Sequence, residues 1–346
     1  GQYAFLDAKM DTLEDGDRSF ELVVLTHVDT DHVDGLVRLF ANKKADWKFD
    51  TKDVWFNGWK HLEAATLGGN QGEFFSALIN ARVGGAKWNK AFKGQPIVVP
   101  DSGALPHVKL AGDMVITLLS PTVATLEKMK NAWQKDVKAF APGDLEAAWA
   151  ALATQKKYLP NKTLLGSTPS LDAALEKQAK PDSSAANGSS IAFLAEFAGM
   201  RALFLGDAHA DVVAASIERL LAERGQQRLA VDAVKVAHHG SKANINDALL
   251  ALIDSPNFLI STNGDIFHHP DKEAVERIIA RSVRQPPQGR HSERNVVLEI
   301  VEAAACRLCG RSRTATTAAA TGIPRRSFAH ALAATQHLHA VAANLG

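Results

Sequence analysis

The chain has 346 residues, of which 46% are hydrophobic, and its formal net charge at pH 7 is +1. This length suits one large domain or two ordinary ones, and the apolar content excludes wholesale disorder. A net charge near zero argues against a surface that coats nucleic acid, because such surfaces need clustered cations, although a local basic groove stays open.

The first part of the chain predicts strands that alternate with a helix. Residues 3–10 predict a short strand that contains Asp7, and residues 20–26 form a continuous apolar run, which is typical of a strand buried on both faces. A helix with one apolar side is predicted over residues 31–43. The sequence predicts further strands at 52–59, 95–100 and 114–121.

Residues 122–180 have helical spacing and charged outer faces, so they predict a helical insertion, and residues 181–190 predict a loop. Strands are then predicted at 190–199, 201–208, 233–241 and 258–264, with helices near 209–224 and 271–282. This alternation favours a layered α/β architecture.

The two cysteines, Cys306 and Cys309, form a lone CxxC pair. A structural zinc site needs four ligands, so the pair does not predict one, and a disulfide-stapled secreted protein is not indicated. No apolar run approaches the roughly 20 residues that span a bilayer. We expect a cytoplasmic protein without a membrane segment, and the oligomeric state stays open.

A cluster of metal-binding residue types follows the buried strand at 20–26. The segment THVDTDH places His27, Asp29, Asp31 and His32 within six positions. Imidazole and carboxylate groups are ligands for divalent transition metals, and a metal ion would relieve the repulsion between the carboxylates. The alternative is a set of exposed turn residues, with Asp31 as the N-cap of the following helix.

Three later strands also end in Asp or His. Asp207 ends the strand at 201–208, His238 and His239 end the strand at 233–241, and His268 and His269 follow the last strand. Sites in open α/β layers are commonly built at the carboxyl ends of strands. The repetition therefore predicts one metal centre assembled from four strand ends.

These motifs resemble those of the metallo-β-lactamase fold hydrolases, and most closely the branch found in DNA-uptake channel (competence) proteins. The family pattern HxHxDH stands here as HxDxDH, with Asp29 in place of the second His. The resemblance extends over roughly residues 3 to 275 and rests on these segments: FLDA with Asp7, LGD at 205–207, HHGS at 238–241 and HHP at 268–270. The third metal motif lacks its usual His, and Asn187 in NGSS matches that position.

The resemblance implies a four-layer αββα sandwich. Residues 1–300 would form the hydrolase domain, with the helical insertion at about 122–180, and residues 301–346 would be an Ala- and Arg-rich tail of unknown role. The family fold begins with a pair of strands before the FLDA motif, so those strands are expected to be missing here.

The resemblance also implies the ligands of two divalent ions, zinc or manganese. Site one would use His27, Asp29 and Asn187; site two would use Asp31, His32 and His238. Asp207 would bridge the two sites, and Asp7 would be structural. Asp31 could also accept a proton from water, and His269 could donate one to the leaving group. The residues expected to bind substrate are His239, Ser241 and His268.

The expected reaction is metal-dependent hydrolysis of a phosphodiester or another small anionic substrate, with nucleic acid among the candidates. Two alternatives stay open. The same site could hydrolyse an acyl, lactone or thioester substrate, because an activated water also attacks acyl carbons. The domain could instead be a metal-binding regulatory module that has lost its catalytic role.

Overall fold

The structure is a computed structural model that describes residues 11–14, 18–41, 50–62, 70–136, 180–262, 268–284, 297–301, 315–316 and 340–341. These residues form a mixed α/β fold, as the sequence predicts. The predicted strand at 3–10 and most of the predicted insertion and tail lie outside them.

The strands and helices alternate along most of the described chain. The strands are β1 (Ser19–Phe20), β2 (Leu22–Val24), β3 (Asp50–Thr51), β4 (Val54–Trp55), β5 (His107–Lys109), β6 (Val115–Ser120), β7 (Ala192–Phe197), β8 (Met200–Phe204), β9 (Leu229–Ala230), β10 (Ala233–Lys235), β11 (Ile253–Asp254), β12 (Asn257–Ser261), β13 (Val297–Val301), β14 (Ala315–Thr316) and β15 (Ala340–Val341). The helices are α1 (Thr30–Ala41), α2 (Trp59–Leu62), α3 (Asn70–Arg82), α4 (Val123–Asp136), α5 (Ala185–Gly188), α6 (Ala210–Arg224), α7 (Asp247–Leu252) and α8 (Lys272–Arg284).

The largest sheet among the described residues is mixed and has the strand order β14-β13-β12-β10-β8-β7-β6-β5. Strands β8, β10, β12 and β13 are parallel to one another. Strands β5 to β8 pair antiparallel in chain order. Because β8, β10 and β12 are parallel neighbours, their carboxyl ends lie at the same edge of the sheet, which brings the segments after them together.

A smaller sheet joins β2 to β4 and to β15 by parallel pairing. Successive residues of β2 and β4 contribute to two different hydrophobic clusters. One cluster includes the large sheet with α6 and α7, and it receives Leu22, Val24 and Trp55. The other includes α1 and α3, and it receives Val23, Leu25, Val54 and Phe56. Both faces of these strands are therefore covered, which explains their continuous apolar sequence.

Ring contacts connect these layers. Trp55 of β4 lies edge-on to Phe193 of β7, with ring centroids 6.4 Å apart. Phe40 of α1 and Phe75 of α3 are 5.1 Å apart, and Arg82 Nε donates to the Phe40 carbonyl. The helices α1 and α3 thus pack together on one side of β2 and β4 while the large sheet packs on the other.

Buried polar groups hold the chain after β4 in place. The Asp53 carboxylate accepts hydrogen bonds from Trp55 Nε1 at 3.0 Å and from the amides of Lys90 at 2.8 Å and Ala91 at 2.9 Å. Burial raises the pKa of Asp53 in spite of these donors. The three bonds fasten the 88–92 segment to the start of β4.

Several predicted strands differ in the structure. Of the strand predicted at 52–59, only Val54–Trp55 is observed as a strand, and Trp59 begins helix α2. The strand predicted at 95–100 makes only an isolated bridge between Val99 and Thr122. Instead of a strand, the Asn57 side chain meets both backbone groups of Ile97, each at 2.8 Å. The strand predicted at 233–241 ends at Lys235, because His238 and His239 adopt positive φ angles of 44° and 54°.

The helices predicted at 209–224 and 271–282 are confirmed with small shifts of their ends, as α6 and α8. The predicted loop at 181–190 contains the short helix α5. Parts of the predicted tail, β14 and β15, pair with β13 and β2. Among the described residues no helix has the length and apolar character needed to cross a membrane.

Candidate metal centre

His27 lies just beyond β2 and is buried. Its Nδ1 is 3.1 Å from the hydroxyl oxygen of Thr26 and 3.1 Å from that of Ser190. Its Nε2 is buried without a hydrogen-bond partner among the residues that the structure describes. Oδ2 of Asp29 lies 3.5 Å from this Nε2. A buried imidazole nitrogen that faces a carboxylate in this way suits a metal ligand.

The first turn of α1 presents Asp31 and His32. The turn is closed by the Asp29 carbonyl, which accepts the amide hydrogens of His32 and Val33 at 2.9 Å. His32 is buried, whereas 43% of the Asp31 side chain is exposed. The helix begins at Thr30, so Asp31 lies inside its first turn and the alternative prediction of Asp31 as the N-cap is wrong. Because His27 and His32 are buried, the segment is not a set of exposed turn residues.

Asp207 follows β8 and lies between the histidines. Its Oδ1 is 3.3 Å from His32 Nε2, and its Oδ2 is 3.8 Å from the Nε2 atoms of His27 and His238. Its backbone amide donates to Ser190 Oγ at 3.1 Å. Burial opposes ionisation of Asp207, but the charges of His32 and His27 and a hydrogen bond from His32 outweigh it and hold the pKa well below its usual range.

His238 and His239 diverge although they are neighbours in sequence. His239 Nδ1 donates to the Ser261 carbonyl at 2.7 Å, and its Nε2 lies 2.9 Å from Asp31 Oδ2. His238 Nδ1 instead meets Asn244 Oδ1 at 2.9 Å. Asp31 and His32 thus meet His239 in this geometry, whereas His238 was predicted as the ligand beside them and His239 as a substrate residue. Both predicted roles stay predictions.

Two overlapping groups of donors result. The ligand atoms of His27, His32 and Asp207 lie within 4.8 Å of one another, and so do those of Asp31, His32 and His239. Zinc bound at about 2.0–2.2 Å from nitrogen and oxygen ligands holds those ligands roughly 3–4 Å apart. Either group could hold a divalent ion after small side-chain adjustments.

The electrostatics favour a ligand role for Asp31 over its predicted role as a proton acceptor. Burial raises the pKa of Asp31, but the hydrogen bond from His239 and the charges of His32 and His239 outweigh this effect. The resulting pKa of Asp31 is about 2. A proton acceptor works best when its pKa lies near the working pH. Asp31 is therefore a persistent anion and a weak base.

Asn187 lies beside His238. Its Nδ2 donates to Asp182 Oδ2 at 2.6 Å and is 3.3 Å from His238 Nδ1. Its Oδ1 is buried without a hydrogen-bond partner among the described residues. Asn187 thus lines the His238 side of the centre, and its predicted role as a ligand stays a prediction.

The predicted substrate residues differ in position. His269 is half-buried, with its ring centroid 5.4 Å from that of His238, and burial lowers its pKa. His268 is exposed. Ser241 is buried, its amide donates to the His238 carbonyl at 2.8 Å and its hydroxyl oxygen accepts from the Ala243 amide. The Ser241 hydroxyl only accepts in these bonds, and its predicted role in substrate binding stays a prediction. Asp7 lies outside the described residues.

Several residues of the centre have no assigned role in the sequence analysis. They form hydrogen bonds with the candidate site residues: Thr26, Asp182, Ser190, Asn244 and Ser261. Asp182 and Ser190 stand in the polar segment PDSSAANGSS, whose composition predicts a loop and singles out neither residue. Their contacts join positions far apart in the chain, so no local spacing could have found them.

No protein-family model matches this chain, and a comparison with curated proteins found no similar sequence. Its function therefore has to be inferred from the centre itself.

Proposed function

We propose that this chain is a metal-dependent hydrolase of the metallo-β-lactamase fold, and that it cleaves a phosphodiester. The observation that carries this proposal is the meeting of donors from three segments of the chain, which follow β2, β8 and β10. They contribute two ligand groups that share His32, with Asp207 between His32 and His27. Clusters of inward-facing carboxylates and imidazoles of this kind serve metal-assisted hydrolysis.

The fold part of the proposal rests on the order of the layers. Helices α1 and α3 cover one face of β2 and β4, and the large sheet with α6 lies on the other. This arrangement agrees with the αββα sandwich that the sequence motifs imply. The donors stand at the strand ends where such a sandwich carries its metal site.

The donor set fits zinc or manganese. Imidazole nitrogens suit zinc, and the carboxylates of Asp29, Asp31 and Asp207 also suit the harder manganese ion. Three carboxylates close together repel one another, and a cation relieves this repulsion. An imidazole nitrogen binds one ion at a time, so we assign His32 to one ion only. We propose two ions, held by His27, Asp29 and Asp207 on one side and by Asp31, His32 and His239 on the other.

Divalent ions bound there would lower the pKa of a water molecule and withdraw charge from a phosphoryl oxygen. The protein's own side chains have separate tasks. Ser261 orients the His239 ring through its carbonyl, and Ser190 holds both His27 and the Asp207 backbone. The His269 ring lies beside that of His238, but burial lowers the pKa of His269, which disfavours its predicted role as the proton donor to a leaving group.

A phosphodiester is favoured over an acyl substrate on two grounds. The oxygen-rich donor set suits ions that bind phosphate oxygens. The HxDxDH pattern resembles a DNA-processing branch of the family, so a nucleic acid or nucleotide-like substrate is proposed.

The test is hydrolysis of bis-p-nitrophenyl phosphate during titration with Zn²⁺ or Mn²⁺, with the wild type and Asp207→Asn side by side. Asp211→Asn is the matched control, because Asp211 is exposed in the first turn of α6. Metal-dependent turnover that is lost only in Asp207→Asn supports the proposal. Metal binding without turnover of this ester, but with turnover of p-nitrophenyl acetate, would favour the acyl alternative. Binding without any turnover would favour a regulatory module.

A further inference from the structure

A buried polar group lies behind His238 and has no place in the proposed chemistry. Asp182 and Asn187 belong to the segment before β7, and Asn244 belongs to the turn after β10. Asn244 is 0% exposed and Asn187 is 4% exposed. All three side chains meet around the Nδ1 side of the His238 ring. Buried polar groups of this kind usually have defined hydrogen-bond roles.

Two oxygen atoms that accept hydrogen bonds from Asn244 Nδ2 determine the orientation of the Asn244 side-chain amide. Its Nδ2 donates to Asp182 Oδ2 at 2.9 Å and to the Asp207 carbonyl at 3.1 Å. Both amide hydrogens are thus directed to oxygen atoms, which leaves Oδ1 facing His238 Nδ1 at 2.9 Å. An amide oxygen can only accept, so the hydrogen of this bond must be on Nδ1.

A hydrogen bond from Asn187 would favour the opposite tautomer of His238. Its Nδ2 is 3.3 Å from His238 Nδ1 and could donate to an unprotonated Nδ1, which would move the ring proton to Nε2. Asp182 Oδ2 holds this Nδ2 at 2.6 Å, and the same oxygen also accepts from Asn244. Asp182 itself is fixed by the Ser184 amide, which donates to Oδ1 at 2.8 Å. One carboxylate therefore sets the direction of both amides.

We propose that Asp182 and Asn244 are positioning residues, which keep the ring proton of neutral His238 on Nδ1 and present an unprotonated Nε2 to Asp207. The Nε2 atom lies 3.8 Å from Asp207 Oδ2, so it faces the candidate centre. An imidazole nitrogen can ligate a metal or accept a proton only in its unprotonated form, and the bond at the other nitrogen selects that form. This inference rests on the proposed function for the role of Nε2. The tautomer of His238 can be measured whether or not the chain is an enzyme.

The test is ¹⁵N NMR of the two ring nitrogens of His238 in the full chain, with metal removed by a chelator. The pH is raised until the ring is neutral, and His238 is assigned by comparison with His238→Gln. In the wild type we expect the Nδ1 resonance to be of the protonated type and the Nε2 resonance of the unprotonated type. The reverse pattern in the wild type would overturn the proposal.

Variants separate positioning from mere structural support. In Asp182→Ala, Asn187 is released to donate to Nδ1, and we expect the protonated type of resonance to move from Nδ1 to Nε2. Adding Asn187→Ala to this variant removes the competing donor and should restore the wild-type pattern. Unchanged resonances in Asp182→Ala, or no restoration in the double variant, would contradict the assigned roles.

Asn246→Ala is the matched control, because Asn246 caps α7 through the Leu249 amide, two positions after Asn244. It should leave the His238 resonances unchanged, whereas Asn244→Ala should alter them. If the tautomers follow this pattern while the chain hydrolyses no phosphodiester, the positioning roles stand and the proposed function fails.

Discussion

The Ser190 hydroxyl oxygen lies 3.1 Å from Nδ1 of His27 and also accepts the hydrogen of the Asp207 amide at 3.1 Å. One small side chain at the start of β7 therefore contacts both a candidate ligand and the backbone of another. This arrangement couples the end of β2 to the end of β8.

We predict that Ser190→Ala weakens zinc binding by about 10-fold or more, which is the usual effect of removing a partner that orients a ligand. The buried Asp207 amide also loses its acceptor, so unfolding should become easier by about 1–3 kcal/mol. Calorimetric titration with Zn²⁺ and chemical denaturation measure the two effects. Ser189→Ala is the matched control, because the neighbouring Ser189 hydroxyl donates to Ala186 within the same segment. Equal zinc affinity in the two variants would refute the role of Ser190.

The two adjacent histidines are predicted to differ in their contribution to metal binding. His239→Ala removes a member of the group with Asp31 and His32, so we expect a loss of bound metal, measured by elemental analysis after dialysis. His238→Ala should retain more metal, since the His238 Nε2 atom lies 3.8 Å from Asp207 and His238 belongs to neither ligand group of the described residues. Greater loss in His238→Ala would return the ligand role to the residue that the sequence motif indicated.

Stability is predicted to fall in mild acid because of His61. Burial and the charge of Lys60 lower the pKa of His61 to about 3. The unfolded chain therefore binds a proton at this residue below about pH 6.5, whereas the folded chain binds it only near pH 3. The stabilisation from neutral His61 is complete above pH 6.5 and declines towards pH 3, by at most about 1.4 kcal/mol per pH unit.

Urea denaturation of the wild type and His61→Gln between pH 4 and 8 measures this effect. The difference in unfolding free energy between the two proteins should shrink as the pH falls through this window. His107→Gln, a substitution of an exposed histidine on β5, is the control. A difference that stays constant with pH would show that His61 is not held neutral by the fold.

Asp53 is predicted to matter for stability and not for the centre. In Asp53→Ala, the amides of Lys90 and Ala91 and the Trp55 indole lose their acceptor, and we expect a cost of roughly 3 kcal/mol. Asp50→Ala is the control, because Asp50 is exposed and its carboxylate accepts a hydrogen bond from Lys87 Nζ at 2.9 Å at the surface. Thermal denaturation compares the two. A metal affinity that falls with Asp53→Ala in the folded protein would count against this separation.

Helices α1, α6 and α8 and several strands could be predicted because their signals are local, whereas α3 and α7 were not predicted. The apolar run before His27 and the amphipathic pattern of residues 209–224 depend on neighbouring residues only, and both correspond to observed elements. The strand predicted at 95–100 failed for a long-range reason. Asn57, forty positions earlier, takes the backbone groups of Ile97 that a partner strand would have used.

The sequence alone determined that Asp and His residues stand at the carboxyl ends of apolar strands, because strand and turn preferences depend on adjacent residues. Only the tertiary structure decided which of these residues meet. The bond between His239 and Asp31 joins positions 208 apart, and the contact between Ser190 and His27 joins positions 163 apart. The divergence of His238 and His239 depends on their positive φ angles and on Asn244 and Ser261, which approach the rings only after the sheet has formed. Local sequence sets the residue types of the centre, and packing sets the direction of each side chain.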